Sequence, residues 1–219
     1  MEAVQLHRLR LSARVPHGAL RLLVVLIALS ALPTLASAQV GGPRLHLGAG
    51  MVLDFAGHVE LNRSPNFNSG EDSLRATVGL RGHADYRVLR YMSLGGMARM
   101  SWWKPQWTPS ISRSFLFDLC PRLTGHYDWR DFRFYGALAP GLTISAVGDR
   151  GIAVSNPAAG FTLSFTLAGM EWWFSRKIGL FAELGWVGHW FSHDNDRSIG
   201  GLDFRVSQGL FEFGFVFGA

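Results

Sequence analysis

The chain has 219 residues, 48% of them hydrophobic, with one cysteine and a formal charge of +5; this is the size of one domain, with ample apolar material for a core or a lipid-facing belt. Arg8, Arg10, Arg14 and Arg21 precede residue 39 against the single acid Glu2, so the remainder carries only +2, and its arginines sit singly within apolar alternation, which argues against a nucleic-acid-binding surface. Cys120, the sole cysteine, excludes an intrachain disulfide and a cysteine-based metal centre.

The first 38 residues have the layout of a secretory leader. Arg8, Arg10 and Arg14 precede the apolar run 20–32, with Arg21 at its start, Pro33 breaks it, and Ala36-Ser37-Ala38 supplies the small-x-small pattern of a cleavage site, with Gln39 the first mature residue. The apolar run is short for a retained transmembrane anchor. The expected division is a signal peptide at 1–38 and one domain at 39–219.

From Leu45 onward the period of alternation is two. Leu47, Ala49, Met51, Leu53 and Phe55 oppose His46, Gly48, Gly50 and Asp54, so the first strand is expected to end near Phe55. Residues 58–73, rich in Asn, Ser and Gly, are expected to form a polar loop. Leu74, Ala76, Val78 and Leu80 then alternate with Arg75, Thr77, Gly79 and Arg81, giving a second strand. A short connection leads to a third at 92–102, and the proline-broken segment 104–113 to a fourth at 115–123. The tight turn 128–131 leads to a fifth at 132–143. Residues 147–160 are a long polar loop before the sixth strand, 161–174; a turn at 175–177 precedes the seventh, 178–189, and the loop 192–202 precedes the last, 210–219. In that last strand Phe211, Phe213, Phe215 and Phe217 make one continuous aromatic face.

About eight strands, with long polar loops alternating with short turns, describe an all-β, antiparallel up-and-down barrel. Alternation alone does not say which face is inside, since a soluble lipocalin-like barrel would bury the apolar one. The opposite face, dominated by Gly, Ala, Ser and Thr, suits a narrow lumen. Aromatic residues also gather at both strand ends: Trp102, Trp103, Trp107, Trp186 and Trp190 near the long loops, and Tyr127, Trp129, Trp172, Trp173 and Phe174 near the turns. Two interfacial girdles explain that clustering.

On the leader, the strand count, the loop alternation, the segments Val78-Gly79-Leu80-Arg81 and Leu180-Phe181-Ala182-Glu183-Leu184-Gly185, and the terminal phenylalanines, residues 43–219 resemble the small outer-membrane β-barrels of Gram-negative bacteria, the OmpA-like, OmpX-like and opacity-type proteins. The resemblance implies an eight-stranded transmembrane barrel in the outer membrane. Its implied partners are outer-membrane lipid and lipopolysaccharide, the barrel assembly machinery during biogenesis, and an unidentified ligand at the surface loops; it implies no cofactor. In such families the last residue is usually aromatic, whereas here Gly218 and Ala219 follow Phe217.

By parity Arg75, Arg81, Asp85, Arg99, Asp118, Arg122, Glu183 and Glu212 point into the lumen, nearly balanced in sign, as a salt-bridged plug requires. A narrow ion path is the alternative. Parity places Glu171 on the lipid face, and Pro121 and Pro140 where ladder donors belong, so bulges or interfacial positions are expected there. Some outer-membrane barrels modify lipid A with Ser and His, and His189, Ser192, His193 and Asp194 lie close in sequence; the spacing His189-Trp190-Phe191-Ser192 is not the His-x-Ser-Asn of the deacylases, and a structural or surface-interaction role is preferred to catalysis. Asp194 and Asp196 on one loop are a weak basis for a cation site, and no metal is expected.

Overall fold

The computed structural model describes residues 44–63, 70–104, 114–146, 157–193 and 202–219; the leader and its cleavage residues Ala36, Ala38 and Gln39 lie outside them. The strands are β1 (Leu45–Arg63), β2 (Gly70–Ser73), β3 (Thr77–Leu89), β4 (Met92–Trp103), β5 (Ser114–Trp129), β6 (Phe132–Ala146), β7 (Ala158–Trp173), β8 (Ile178–His193) and β9 (Leu202–Gly218). All neighbours pair antiparallel, and β1 pairs with β9 as well, so the sheet closes. The wall has eight staves, because β2 and β3 follow one another along the same side of β1, opposite its residues 58–61 and 45–54. Across the break at 74–76 the ladder holds through Leu74 N–H to the Gly57 carbonyl (2.7 Å) and Arg75 N–H to the Lys104 carbonyl (3.0 Å).

Several strands run past their expected ends. β1 continues through the segment expected to be loop as far as Arg63, and β8 and β9 extend into the fourth loop. A 16-residue strand such as β5 or β8, tilted about 40°, spans about 40 Å, against roughly 25 Å for the apolar band of an outer-membrane barrel. The excess stands at the loop end, where exposed His58, Arg205, Asp203 and Ser192 make the outer wall polar. The opposite end carries the short turns, and there the start of β1 is stitched to the end of β9 by Arg44 and Leu45 N–H to the Ala219 carbonyl (3.2 and 3.1 Å).

The faces are those of a lipid-facing wall around a polar lumen. Met51, Leu80, Leu119, Leu142, Leu167 and Leu184 stand exposed on the exterior, together with Phe211, Phe213, Phe215 and Phe217. Histidines, carboxylates, guanidiniums and hydroxyls fill the inside. This ordering overturns the lipocalin-like alternative, which requires the reverse. Trp102, Trp186 and Trp190 face outward near the loop end; Tyr127, Trp129, Trp172 and Phe174 are exposed near the turns. Two girdle assignments are corrected. Trp103 is fully buried in the lumen, and Trp173 turns inward onto His46, ring centroids 5.1 Å apart; Trp107 lies outside the described residues.

Local irregularities explain where simple parity fails. Between Phe55 and His58 the β1–β9 register shifts, with Ala56 at φ 46°; the inward positions change from even (Val52, Asp54) to odd (Val59). A second shift lies between Thr166 and Ala168 in β7. It turns Glu171, expected to face lipid, into the lumen, where it is 4% exposed. Between β5 and β6 the register runs Leu119↔Leu142 and resumes at Leu123↔Leu138: Pro121 and Pro140 face each other in the gap, neither having an N–H to give to the ladder.

Candidate functional site

The lumen is built in tiers that can be followed along each strand from the loop end to the turn end. The first is apolar: Val59, Leu74, Trp103, Leu116, Ala158, Phe191, Phe204 and Val206 form one buried cluster, contributed by seven of the eight staves. Phe191 and Phe204 stack at 5.3 Å, with Trp103 against both. These large side chains close the barrel from within.

Below the cluster lies a charged tier. Arg99 donates from Nε to Asp118 Oδ2 (3.1 Å) and approaches Asp54 at 3.6 Å. His189 Nε2 lies 3.0 Å from the same Asp118 oxygen and 3.1 Å from Arg99 Nη2. All four side chains are essentially inaccessible. A second apolar layer follows: Val52, Val187 and Leu210 on the side of β1, β8 and β9, and Met97, Cys120 and Ala139 on the side of β4, β5 and β6.

The central tier holds Arg81, Asp85, Arg122, Glu183 and Glu212. Glu183 and Glu212 are direct cross-strand partners on β8 and β9, an arrangement that is unfavourable for two carboxylates alone. Arg81 bridges them: its guanidinium meets Glu183 at 2.9 and 3.1 Å and also donates to Glu212. Arg122 joins Glu183 (2.6 Å) to Asp85. Tyr135 and Thr166 donate hydroxyl protons to Glu183 at 2.8 and 2.7 Å. Glu183 thus accepts five hydrogen bonds, enough to offset the desolvation that makes an unpaired buried carboxylate so costly.

The last tier lies at the turn end. Arg133 links His46 (2.8 Å) with Asp128 (2.7 Å), Arg87 shares Asp128 at 2.8 Å, and Glu171 takes the Trp173 indole N–H at 2.9 Å. Seven of the eight expected lumen charges are therefore inside. Arg75 is the correction: it is exposed, because it falls in the 74–76 break, where strand parity does not apply. His46, Asp54, His83, Arg133, Glu171 and Gln208 are buried as well, none of them among the expected lumen charges. His46, Asp54 and Arg133 stood on the polar face of regular alternation, whereas nothing in the segment around Leu167 marks the shift that brings Glu171 in.

The His189/Ser192 region does not assemble as a catalytic pair. Three residues apart on a strand, the two side chains take opposite faces: His189 is sealed inside, and exposed Ser192 donates to Asp203. Asp194 and Asp196 lie outside the described residues. Among the described residues no group of His, Cys, Asp and Glu has the disposition of a metal site.

No protein-family model matches the chain, and no curated protein matches it in sequence. Its fold, however, is that of the small eight-stranded outer-membrane barrels. The crystal structure of the outer membrane protein OprG from Pseudomonas aeruginosa superposes with a TM-score of 0.59 at 9% identity, over 80% of this chain and 95% of that one. Neisserial surface protein A (TM-score 0.44, 12% identity, 79% and 98% covered) and the attachment invasion locus protein Ail of Yersinia pestis (0.43, 11%, 80% and 99%) are also similar; the fold assignment rests on the first. An apolar exterior about a polar lumen, on this closed sheet, is the build of an integral outer-membrane protein.

Proposed function

We propose that the protein is an outer-membrane barrel of structural or surface-interaction type, acting through its loop end and not through its lumen. The observation that carries this reading is the pair of apolar layers inside the wall. An ion would have to cross the Trp103–Phe191–Phe204 cluster and then the layer containing Leu210 and Met97, where large apolar side chains, interspersed with a few buried serine hydroxyls and Gln208, replace its hydration poorly. The tall polar rim, with Arg205 3.4 Å from Glu60, supports a surface from which the loops recognise a partner. The folded protein in a planar bilayer is expected to give no discrete conductance steps. Steps altered by Arg99→Gln or Glu183→Gln would establish an ion path through the charged tiers and refute the proposal.

A further inference from the structure

At the turn end the lumen opens into a cavity of about 1000 Å³, within the size range of small-ligand sites. Arg87, Arg130, Arg133, Arg176 and Lys177 line it, against Asp128 and Asp131, with Glu171 3.6 Å from Arg133: five cations to three side-chain acids, a surplus of two. Arg87 and Arg133 converge on the single carboxylate of Asp128 from nearly buried positions, their side chains 7% and 6% exposed. Arg87 keeps a buried Nε without a hydrogen-bond partner. The other three cations have no ion pair among the described residues; Arg130 lies over the Trp129 ring at 5.4 Å. The closed wall shields Arg87 and Arg133 from bulk water, while Arg130, Arg176 and Lys177 stand exposed on the turns around the mouth, and field lines concentrate in such a mouth.

We infer that this vestibule binds a phosphate-bearing anion. Four of its five cations are arginines, whose planar fork matches phosphate oxygens two at a time. A surplus of two charges favours a multivalent group over chloride or a lone carboxylate. The same chemistry is offered by a free diphosphate and by the headgroup of an anionic phospholipid reaching in past the turns. The site does not depend on whether the lumen conducts.

The test uses the full chain folded in zwitterionic detergent, with inorganic pyrophosphate titrated calorimetrically in low salt. Saturable binding near one per chain is expected. The double variant Arg176→Gln/Lys177→Gln, both exposed turn residues, is expected to weaken it roughly tenfold. Arg205→Gln, at the opposite end, is expected to leave it unchanged, and heat-shifted gel mobility checks that each variant is folded. Non-saturable uptake, or equal affinity in the double variant and the parent, overturns the inference. Phosphatidylcholine nanodiscs with and without phosphatidylglycerol then separate the sources. Weaker pyrophosphate binding with phosphatidylglycerol present assigns the site to headgroups, and unchanged binding assigns it to free anions.

Discussion

Replacing Arg81 by Met is the most direct probe of what the central tier does for the fold. In the parent, two guanidiniums (Arg81, Arg122) face three carboxylates (Asp85, Glu183, Glu212), all five side chains buried. Arg81→Met removes the only described ion-pair partner of Glu212 and leaves it beside Glu183, its cross-strand neighbour. Breaking a buried pair by deleting one member typically costs about 3–5 kcal/mol, and the second orphaned acceptor sets the expectation at the upper end. Adding Glu212→Gln to Arg81→Met restores the parent's charge balance, and more than half of the loss should return as a coupling energy. Glu212→Gln alone should be neutral or stabilising, because it removes one charge from a tier that has one acid too many. The assay is reversible urea unfolding in lipid vesicles, followed by tryptophan fluorescence. A loss under about 1 kcal/mol for Arg81→Met, or a double variant no better than the single, would refute the claim that the tier is a mutually compensated plug.

Three further outcomes follow from the geometry. Phe211→Arg, in the apolar band beside Leu184, should cost about 2–4 kcal/mol in the same assay, whereas Trp190→Arg near the loop-end rim should cost about 0–1; equal costs would contradict the placement of the lipid belt. Ala56→Gly should stabilise by about 1 kcal/mol, since Ala56 holds φ 46° and glycine adopts that conformation freely. A loss of stability there would mean that the alanine methyl makes contacts worth more than the strain. Gly169→Val should destabilise by more than about 2 kcal/mol: the Tyr135 ring lies against the Gly169 backbone where a Cβ would sit, so valine displaces the hydroxyl that donates to Glu183. Parent-like stability and an unchanged environment for Glu183 would remove Tyr135 from the plug.

Much of the architecture is legible in the chain because a period of two, once one face is known to be apolar, fixes every side chain until the register slips. Leu47 to Leu53 and Phe211 to Phe217 are continuous examples, and they pair with each other in β1 and β9. Strand ends were harder to read. His58 and Glu60 are as polar as a loop because they stand above the belt, where water, not lipid, meets the wall; polarity there reports height and not secondary structure. Trp103 misleads for a related reason. It belongs to the aromatic-rich rim by sequence, yet its place on the inward side of β4 makes it part of the lumen's apolar cap. His189 and Ser192 are close in the chain but separated by the pleat.

The register shifts are where the lumen's composition is decided. An eight-stranded barrel leaves no room to hydrate a stray charge, so each inward carboxylate must meet a guanidinium or a hydroxyl at its own height. Were β7 regular beyond Thr166, Glu171 would project into lipid, and Met170 and Trp172 would occupy the place beside His46 and Arg133. The shift exchanges them: Glu171 comes within 3.3 Å of His46 and 3.6 Å of Arg133, while Met170 and Trp172 reach the exterior. One extra residue in the strand therefore moves a charge out of hydrocarbon and two large apolar side chains into it, which favours the bulge despite the broken ladder. By the same reasoning, deleting Leu167 removes the extra residue and returns β7 to simple alternation from Thr166 onward, with Gly169 and Glu171 still facing the lumen.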